Sequence, residues 1–375
     1  MTELSIVRLV AGGDGLGFAD GKAVFVPGTL PGERVRVSIS RSRRDFDQAA
    51  LREVVTPSPH RVAPGCRYAG VCGGCDWLHI AYEEQLRQKA AIVAEALRRT
   101  GGIERPEPPI EPSRPWGSRS RAQVHRDPEG RLGYMGARSN RVVAVESCPI
   151  AAPAIERLFV ESPPVGPRDR FTAFADGDHA AVEGRDDERD LAVEVNGRRI
   201  LLSVGCFFQA NLGLLGKLVD WATAGLAGTA AADLYCGVGL FGSFLAPAFS
   251  RVTFVESSAM SLSYARRNGS GPDREFYPLS VEQWIQSGGA PPAAGALDAV
   301  IVDPPRAGLG AEVRQWLNRA RPRKLVYVSC NPVTLARDLR DLVSSFTLDD
   351  LRLFDFYPQT SHVEAAARLS AREDA

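Results

Sequence analysis

Beyond about residue 206 the sequence alternates short apolar runs with helical stretches, and few folds accept that pattern. The runs are Ala231–Tyr235, Val252–Val255, Leu297–Val302 and Leu325–Val328. Strands joined through helices must lie parallel, and both faces of the resulting sheet are then covered. The expected class is α/β, a doubly wound parallel sheet that binds ligands at the carboxyl ends of its strands. The first 205 residues read differently. Ile6–Val10, Ala23–Val26 and Arg34–Ile39 look like short strands, with turns at Gly12-Gly13-Asp14-Gly15 and from Pro27-Gly28 to Pro31-Gly32. Such a module suits a small barrel of the OB kind, which often holds nucleic acid, and suits an interaction module of another kind equally well. A Cys-rich loop over 60–80 follows, then a helix from Tyr82 to Arg99 closed by Gly101-Gly102. Pro106, Pro108, Pro109, Pro112 and Pro115 mark an extended link. Residues 103–205 read mostly as strands, clearest in the hairpin Leu191–Val195 and Ile200–Val204 around Asn196-Gly197. The expected domains are 1–57, 58–205 and 206–375, with an Ala/Gly/Pro linker near 288–296.

Composition excludes little else. The 375 residues include 45 basic and 45 acidic side chains, so any nucleic-acid contact must come from local patches. Two stretches lean basic: Arg34, Arg36, Arg41, Arg43 and Arg44, and then Arg114, Arg119, Arg121, Arg126, Arg131, Arg138 and Arg141. On charge alone, solvated surface explains them as well as RNA does. No apolar run reaches the roughly 20 residues that span a bilayer. The segment Met1-Thr2-Glu3-Leu4 has no signal-peptide character. A cytoplasmic protein without membrane contact is expected.

Four motifs fall at the expected strand ends. Asp233-Leu234-Tyr235-Cys236-Gly237-Val238-Gly239 runs from a strand into a Gly-rich turn, where missing side chains let a ligand approach the backbone. Glu256 ends the next strand about 20 residues on, the spacing of a carboxylate that accepts ribose hydroxyls. These two motifs also fit an NAD-dependent oxidoreductase. Asp303-Pro304-Pro305-Arg306 presents a carboxylate on a stiff turn, because each proline fixes its own φ and restricts its predecessor. Cys330, in Ser329-Cys330-Asn331-Pro332, sits at the tip of the last apolar run. A structural cysteine is the usual explanation of such a residue. A nucleophile must instead lie on the working edge and ionise.

Cys66, Cys72, Cys75 and Cys148 form a second constellation. Four thiolates can hold zinc or an iron–sulfur cluster, and spacing leaves the two even. A redox disulfide between Cys72 and Cys75 is a weaker option. Cys206 and Cys236 remain as core or cofactor-lining residues.

With these motifs in order, nearly the whole chain resembles the RNA uracil-5-methyltransferase family, which makes 5-methyluridine in tRNA and 23S rRNA. Phe207-Phe208-Gln209-Ala210-Asn211, residues 233–239, Asp303–Arg306, Ser329–Pro332 and Tyr357–Glu364 match its motifs. The resemblance implies a class I S-adenosylmethionine (SAM)-dependent methyltransferase domain behind an RNA-binding TRAM barrel and a central, mostly β domain. It implies that Gln209, Tyr235, Gly237, Glu256 and Asp303 bind SAM, that Cys330 is the nucleophile, and that Glu364 is the base. It favours a [4Fe–4S] cluster over zinc on the four cysteines. The family's 23S rRNA enzymes more often pair this barrel with this cluster, so 23S rRNA is the expected substrate, tRNA the alternative, and a monomer the expected state. Two positions depart from the pattern. Leu240 stands where many members carry Asn. Ala365-Ala366-Ala367-Arg368 follows Glu364 in place of a more apolar strand, which leads one to expect a loosely held base.

Overall fold

A computed structural model describes residues 1–161, 169–289 and 296–373. Most of the linker near 288–296 lies outside the described residues.

The N-terminal module is a closed barrel of five strands, β1 (Thr2–Leu9), β2 (Gly15–Ala19), β3 (Lys22–Val26), β4 (Arg34–Ser42) and β5 (Phe46–Thr56), in the order β1-β2-β3-β5-β4. Closure follows from period-two patterning: Leu4, Ile6, Val24, Val26, Val35, Val37 and Ala49 fill the interior. The barrel docks through Leu9 and Leu30, which pack with Trp77, Ile80 and Ile92. Helix α1 (Tyr82–Ala96) continues as one π-helical turn over Leu97–Gly101 and stops at Gly102, whose left-handed φ of 64° caps it.

The proline-rich link is not merely a spacer. Within it β6 (Ile110–Glu111) joins the edge of the C-terminal sheet beside Leu353 and Phe354. The central region holds β7 (Arg121–Arg126), β8 (Leu132–Met135), β9 (Val142–Ala144), helix α2 (Pro153–Glu161), β10 (Arg170–Asp176) and β11 (His179–Val182). Its sheet runs β11-β10-β7-β8-β9, with α2 packed on it. The sequence did not announce α2. The hairpin β12 (Leu191–Val195) and β13 (Arg198–Leu202) turns through Asn196 and Gly197, both at positive φ (48° and 77°), as a primed turn requires.

The C-terminal layer confirms the α/β expectation and extends it. Its elements are α3 (Leu212–Thr223), β14 (Gly228–Leu234), α4 (Leu240–Leu245), β15 (Phe249–Val255), α5 (Ala259–Asn268), β16 (Arg274–Tyr277), α6 (Val281–Gln286), β17 (Ala299–Val302), α7 (Ala311–Ala320), β18 (Lys324–Ser329), α8 (Pro332–Leu342), β19 (Phe346–Phe354) and β20 (Glu364–Ala371). Among the described residues the sheet has the order β16-β15-β14-β17-β18-β20-β19-β6. Strands β16 to β18 are parallel, whereas β20 runs antiparallel between β18 and β19. The sheet is therefore mixed at one end. Hydrophobic clusters cover both faces. This explains the alanines after Glu364: Ala365, Ala366 and Ala367 are fully buried between two neighbouring strands, where little room is left. Glu364 opens this strand, whose backbone is flanked by a neighbour on each side.

Candidate active site and cysteine cluster

Register alone assembles the cleft. Leu234 pairs with Val255 on one side and with Val302 on the other, so the next residues, Tyr235, Glu256 and Asp303, emerge side by side. Ser329 pairs with Ala365 across the antiparallel β18–β20 ladder, so Cys330 and Glu364 leave the sheet as neighbours. The resulting cleft has a volume of ≈ 730 Å³, and Gln209, Tyr235, Gly237, Glu256, Asp303, Cys330 and Glu364 all line it. That size suits a nucleoside-bearing ligand.

The Gly-rich turn is tightly held. Gly242 N donates to Asp233 Oδ2 at 2.6 Å, and a Cβ at Gly242 would come within 2.1 Å of the Phe254 ring. Tyr235 adopts φ 59°, a strained value for a bulky residue and one that recurs at functional sites. Glu256 is oriented by Gly237 N (3.1 Å) and Ser258 N (2.7 Å), which leaves carboxylate lone pairs for a ligand's hydroxyls. Leu240 lines the cleft as an apolar wall where a polar contact is absent from its side chain. Cys236 is buried and also lines the cleft, while Cys206 lies in the core.

The reacting end is crowded with acids. Burial pushes the Asp303 carboxyl up to about 7, against the donation from Gln209. Glu364 is held well above its ordinary value by burial and by Asp303, with Arg306 opposing. The Cys330 thiol is pushed up to about 11 by burial, Glu364 and Asp303, and Arg306 counters this by charge and by a hydrogen bond. Gln209 Oε1 and Glu364 Oε1 are buried and meet no hydrogen-bond partner among the described residues. Two carboxyls and a thiol faced by one guanidinium suit a cationic ligand with polar groups of its own.

Sequence reasoning quoted Arg306 in its motif but gave it no role. Its backbone is fixed: Asn331 Nδ2 (3.0 Å) and Thr334 Oγ1 (3.2 Å) donate to its carbonyl. Asp338 on α8 anchors the following turn, accepting from Leu309 N, Tyr327 Oη and Arg337 Nε at 2.8, 2.6 and 2.9 Å. From the opposite side Lys89 of α1 donates to Asp355 (2.5 Å) and to the Tyr357 carbonyl (2.9 Å), holding the segment that leads to Glu364. No motif could have exposed Lys89 or Asp338, because each acts across more than one element. Phe207, 62% exposed, stands at the mouth with the Arg121 guanidinium 5.6 Å from its ring.

The other four cysteines also converge. Cys66, Cys72, Cys75 and Cys148 line one cavity with Arg119 and Tyr134, and all are free thiols. The Cys72–Cys75 disulfide is not formed. Burial raises the thiols of Cys72 and Cys75, the latter to about 12, and the neighbouring sulfurs add to this. Among the described residues no three Cys, His, Asp or Glu side chains are gathered closely enough for a single metal ion. Four thiols converging on one cavity are donors that suit zinc or an iron–sulfur cluster alike.

Fold and cleft together define a class I SAM-dependent methyltransferase. Comparison with known proteins narrows this. The chain is 32% identical to an RNA methyltransferase of Treponema denticola, over 92% of this chain and 93% of that one. It is 31% identical to the 23S rRNA (uracil(1939)-C(5))-methyltransferase RlmD of Alkalilimnicola ehrlichii, over 97% and 95%. The chain belongs to the RNA uracil-5-methyltransferase family. The model of the tRNA (Uracil-5-)-methyltransferase family matches residues 294–372, and that of the TRAM domain matches 3–49, the first barrel. The Pyrococcus abyssi tRNA (uracil-54, C5)-methyltransferase, solved with S-adenosyl-L-homocysteine, superposes with a TM-score of 0.73 at 25% identity, covering 98% of this chain and all of that one. The protein is thus an enzyme that methylates carbon 5 of uracil in RNA with SAM, and the oxidoreductase alternative falls. No helix among the described residues is long and apolar enough to cross a membrane.

Proposed function

We propose that Cys330 is the nucleophile and Glu364 the base of uracil methylation, and that the substrate is a uridine of 23S rRNA. The observation that carries the roles is the adjacency of the two side chains across the β18–β20 ladder in one buried cleft. Carbon 5 of uracil is too weak a nucleophile to take a methyl group unaided. Addition of the Cys330 thiolate to carbon 6 moves the ring electrons into an enolate and activates carbon 5. Once carbon 5 carries the methyl group, Glu364 removes its proton. The electrons of that C–H bond reform the ring double bond, and the bond from carbon 6 to sulfur breaks to release the thiolate. A carboxylate of raised proton affinity is suited to this work near neutral pH. Arg306 favours the ionised thiol and, beside the ring, also opposes enolate charge. The target uracil must leave its stack to reach both groups.

Gln209, Tyr235, Gly237, Glu256 and Asp303 hold the cofactor, Glu256 through its oriented carboxylate and Asp303 through its charge. SAM supplies, when bound, an electrophilic methyl group and a positive sulfonium that suits the acidic cleft. Cys66, Cys72, Cys75 and Cys148 carry a [4Fe–4S] cluster that ties the loop over 60–80 to the central sheet; their convergence on one cavity supports this. The 23S rRNA substrate is supported by the names of full-length relatives at 29–31% identity, whereas the tRNA enzyme stands at 25%.

In the deciding experiment, Cys330→Ala binds SAM but forms no 5-methyluridine and no covalent adduct with 5-fluorouridine RNA. Full turnover in that variant would overturn the mechanism. Transcripts of 23S rRNA and tRNA are compared in the same assay, and methylation of tRNA alone would reassign the substrate. Iron and sulfide analysis of anaerobically purified protein tests the cluster; stoichiometric zinc without iron would refute it.

A further inference from the structure

The barrel carries an aromatic face that its own folding does not use. Residues on β2, β3 and β5 alternate in direction, and Leu16, Phe18, Ala23, Phe25 and Phe46 point away from the interior filled by Val24, Val26 and Ala49. Leu16 pairs with Phe25, and Ala23 pairs with both Phe18 and Phe46, so these side chains form one outer patch. Phe25 and Phe46 meet edge to face, with ring centroids 5.5 Å apart, and Phe18 is 52% exposed. A ring left in water on a strand is costly unless something covers it.

What could cover it is indicated by the charges around it. The patch floors a cleft of ≈ 400 Å³ between the barrel and the end of the first long helix, lined also by Arg8, Arg98 and Arg99 and by the acids Asp45 and Glu95, so its cations outnumber its acids by three to two. Glu95 is shared by Arg8 (3.1 Å) and Arg98 (2.8 Å), while Arg99 is exposed and meets no acid among the described residues. The exposed arginines 41, 43 and 44 lie on the β4–β5 hairpin that presents Phe46. Exposed rings bordered by guanidinium groups are the elements that stack bases and hold the phosphates between them. An apolar protein partner would leave these arginines unpaired.

We propose that this cleft binds an unpaired nucleotide of the RNA substrate away from the reacting uracil, its base stacked on Phe18 and the Phe25–Phe46 pair and its flanking phosphates on Arg99 and the hairpin arginines. The face thereby selects RNA with a single-stranded segment outside the active site. The proposal rests on RNA being the substrate but not on the roles of Cys330 and Glu364.

Fluorescence anisotropy with a labelled single-stranded RNA of about 12 nucleotides tests it without turnover. Phe18→Ala, at an exposed position, is expected to weaken binding on the order of ten-fold, and Phe18→Tyr to retain it. Arg99→Gln is expected to flatten the plot of log affinity against log salt by about 0.7. In the methylation assay Phe18→Ala should raise KM for RNA and leave kcat unchanged. If the variant melts as the parent does and binds RNA with unchanged affinity, the proposal is wrong and the face serves another partner, such as a protein. Failure of the methylation mechanism would instead appear as absent product with the binding loss intact.

Discussion

Asp303→Asn should make the ligand-free protein more stable while it spoils the site. The carboxyl is fully buried, Gln209 donates to it, and its value rises from 3.8 to about 7. The unfolded chain therefore loses this proton before the folded one does. Between those two values the folded state binds more protons, so stability is fully present below pH 3.8, falls as pH rises, and levels off above about 7. Each pH unit inside the window costs about 1.4 kcal/mol, so the whole effect is on the order of 4 kcal/mol. Asparagine keeps an oxygen for the Gln209 donor but carries no proton to lose. Urea melts of both proteins at pH 5.5 and pH 8.5 isolate the difference, because groups outside the cleft titrate alike in the two, while Glu364 and Cys330, relieved of the Asp303 charge, shift downward and add to it with the same sign. The advantage of the variant should grow by roughly 2 kcal/mol between those conditions. Calorimetry should show weaker SAM binding in the same variant, a cost of removing charge from a working site. An advantage that does not change with pH, or a variant less stable at pH 8.5 than at pH 5.5 relative to the parent, would refute the reasoning.

Three further outcomes follow from contacts already described. Lys89→Met leaves Asp355 charged and buried, and should cost about 3–5 kcal/mol in denaturant melts; the double variant Lys89→Met/Asp355→Leu should recover part of that. Arg306→Gln removes the cation that opposes the upward shifts of Cys330 and Glu364, so the rising limb of kcat/KM should move to higher pH in a pH–rate profile. Gly242→Ala drives a methyl group into Phe254 and should lower the melting midpoint by about 1–3 kcal/mol equivalent, with SAM affinity falling alongside as the Gly-rich turn shifts.

The fold and the cleft were legible to different depths. Strands β14, β15, β17 and β18 stood out because strands covered on both faces read as continuous apolar runs. The seven proposed site residues sit directly at such strand ends or in adjoining motifs, and all reach one cleft. Strand β20 was misread for the same physical reason inverted. Its alanines are fully buried but too small to register as an apolar run, because neighbouring strands and helices already fill the space. The two-residue β6 could not be seen at all, since its partner Leu353 lies more than 240 positions away. Asp338 and Lys89 were silent because a buried charge looks like a surface charge until its partner is known.

The crowding of acids also bears on when Cys330, the proposed nucleophile, becomes reactive. With its thiol pushed up to about 11, the ligand-free protein holds almost no thiolate at neutral pH, and Arg306 alone does not correct this. A unit positive charge about 6 Å away, at an effective dielectric near 20, stabilises the thiolate by about 3 kcal/mol, or about two pKa units. That is an upper bound, because Asp303, at about 7, ionises first and shares the same cation. The sulfonium of SAM carries such a charge and the thioether of S-adenosyl-L-homocysteine does not, although the two occupy nearly the same volume. The pH midpoint of Cys330 alkylation by iodoacetamide, read by mass spectrometry of the Cys330 peptide, should therefore fall by about one to two units with SAM and stay near the ligand-free value with S-adenosyl-L-homocysteine. Comparing midpoints rather than rates removes any shielding common to both. Equal midpoints would show that charge in the cofactor does not prepare the nucleophile, and the uracil itself would have to induce ionisation. The predicted order, cofactor before attack, would spare the thiol from wasteful addition to uracils that no methyl group awaits.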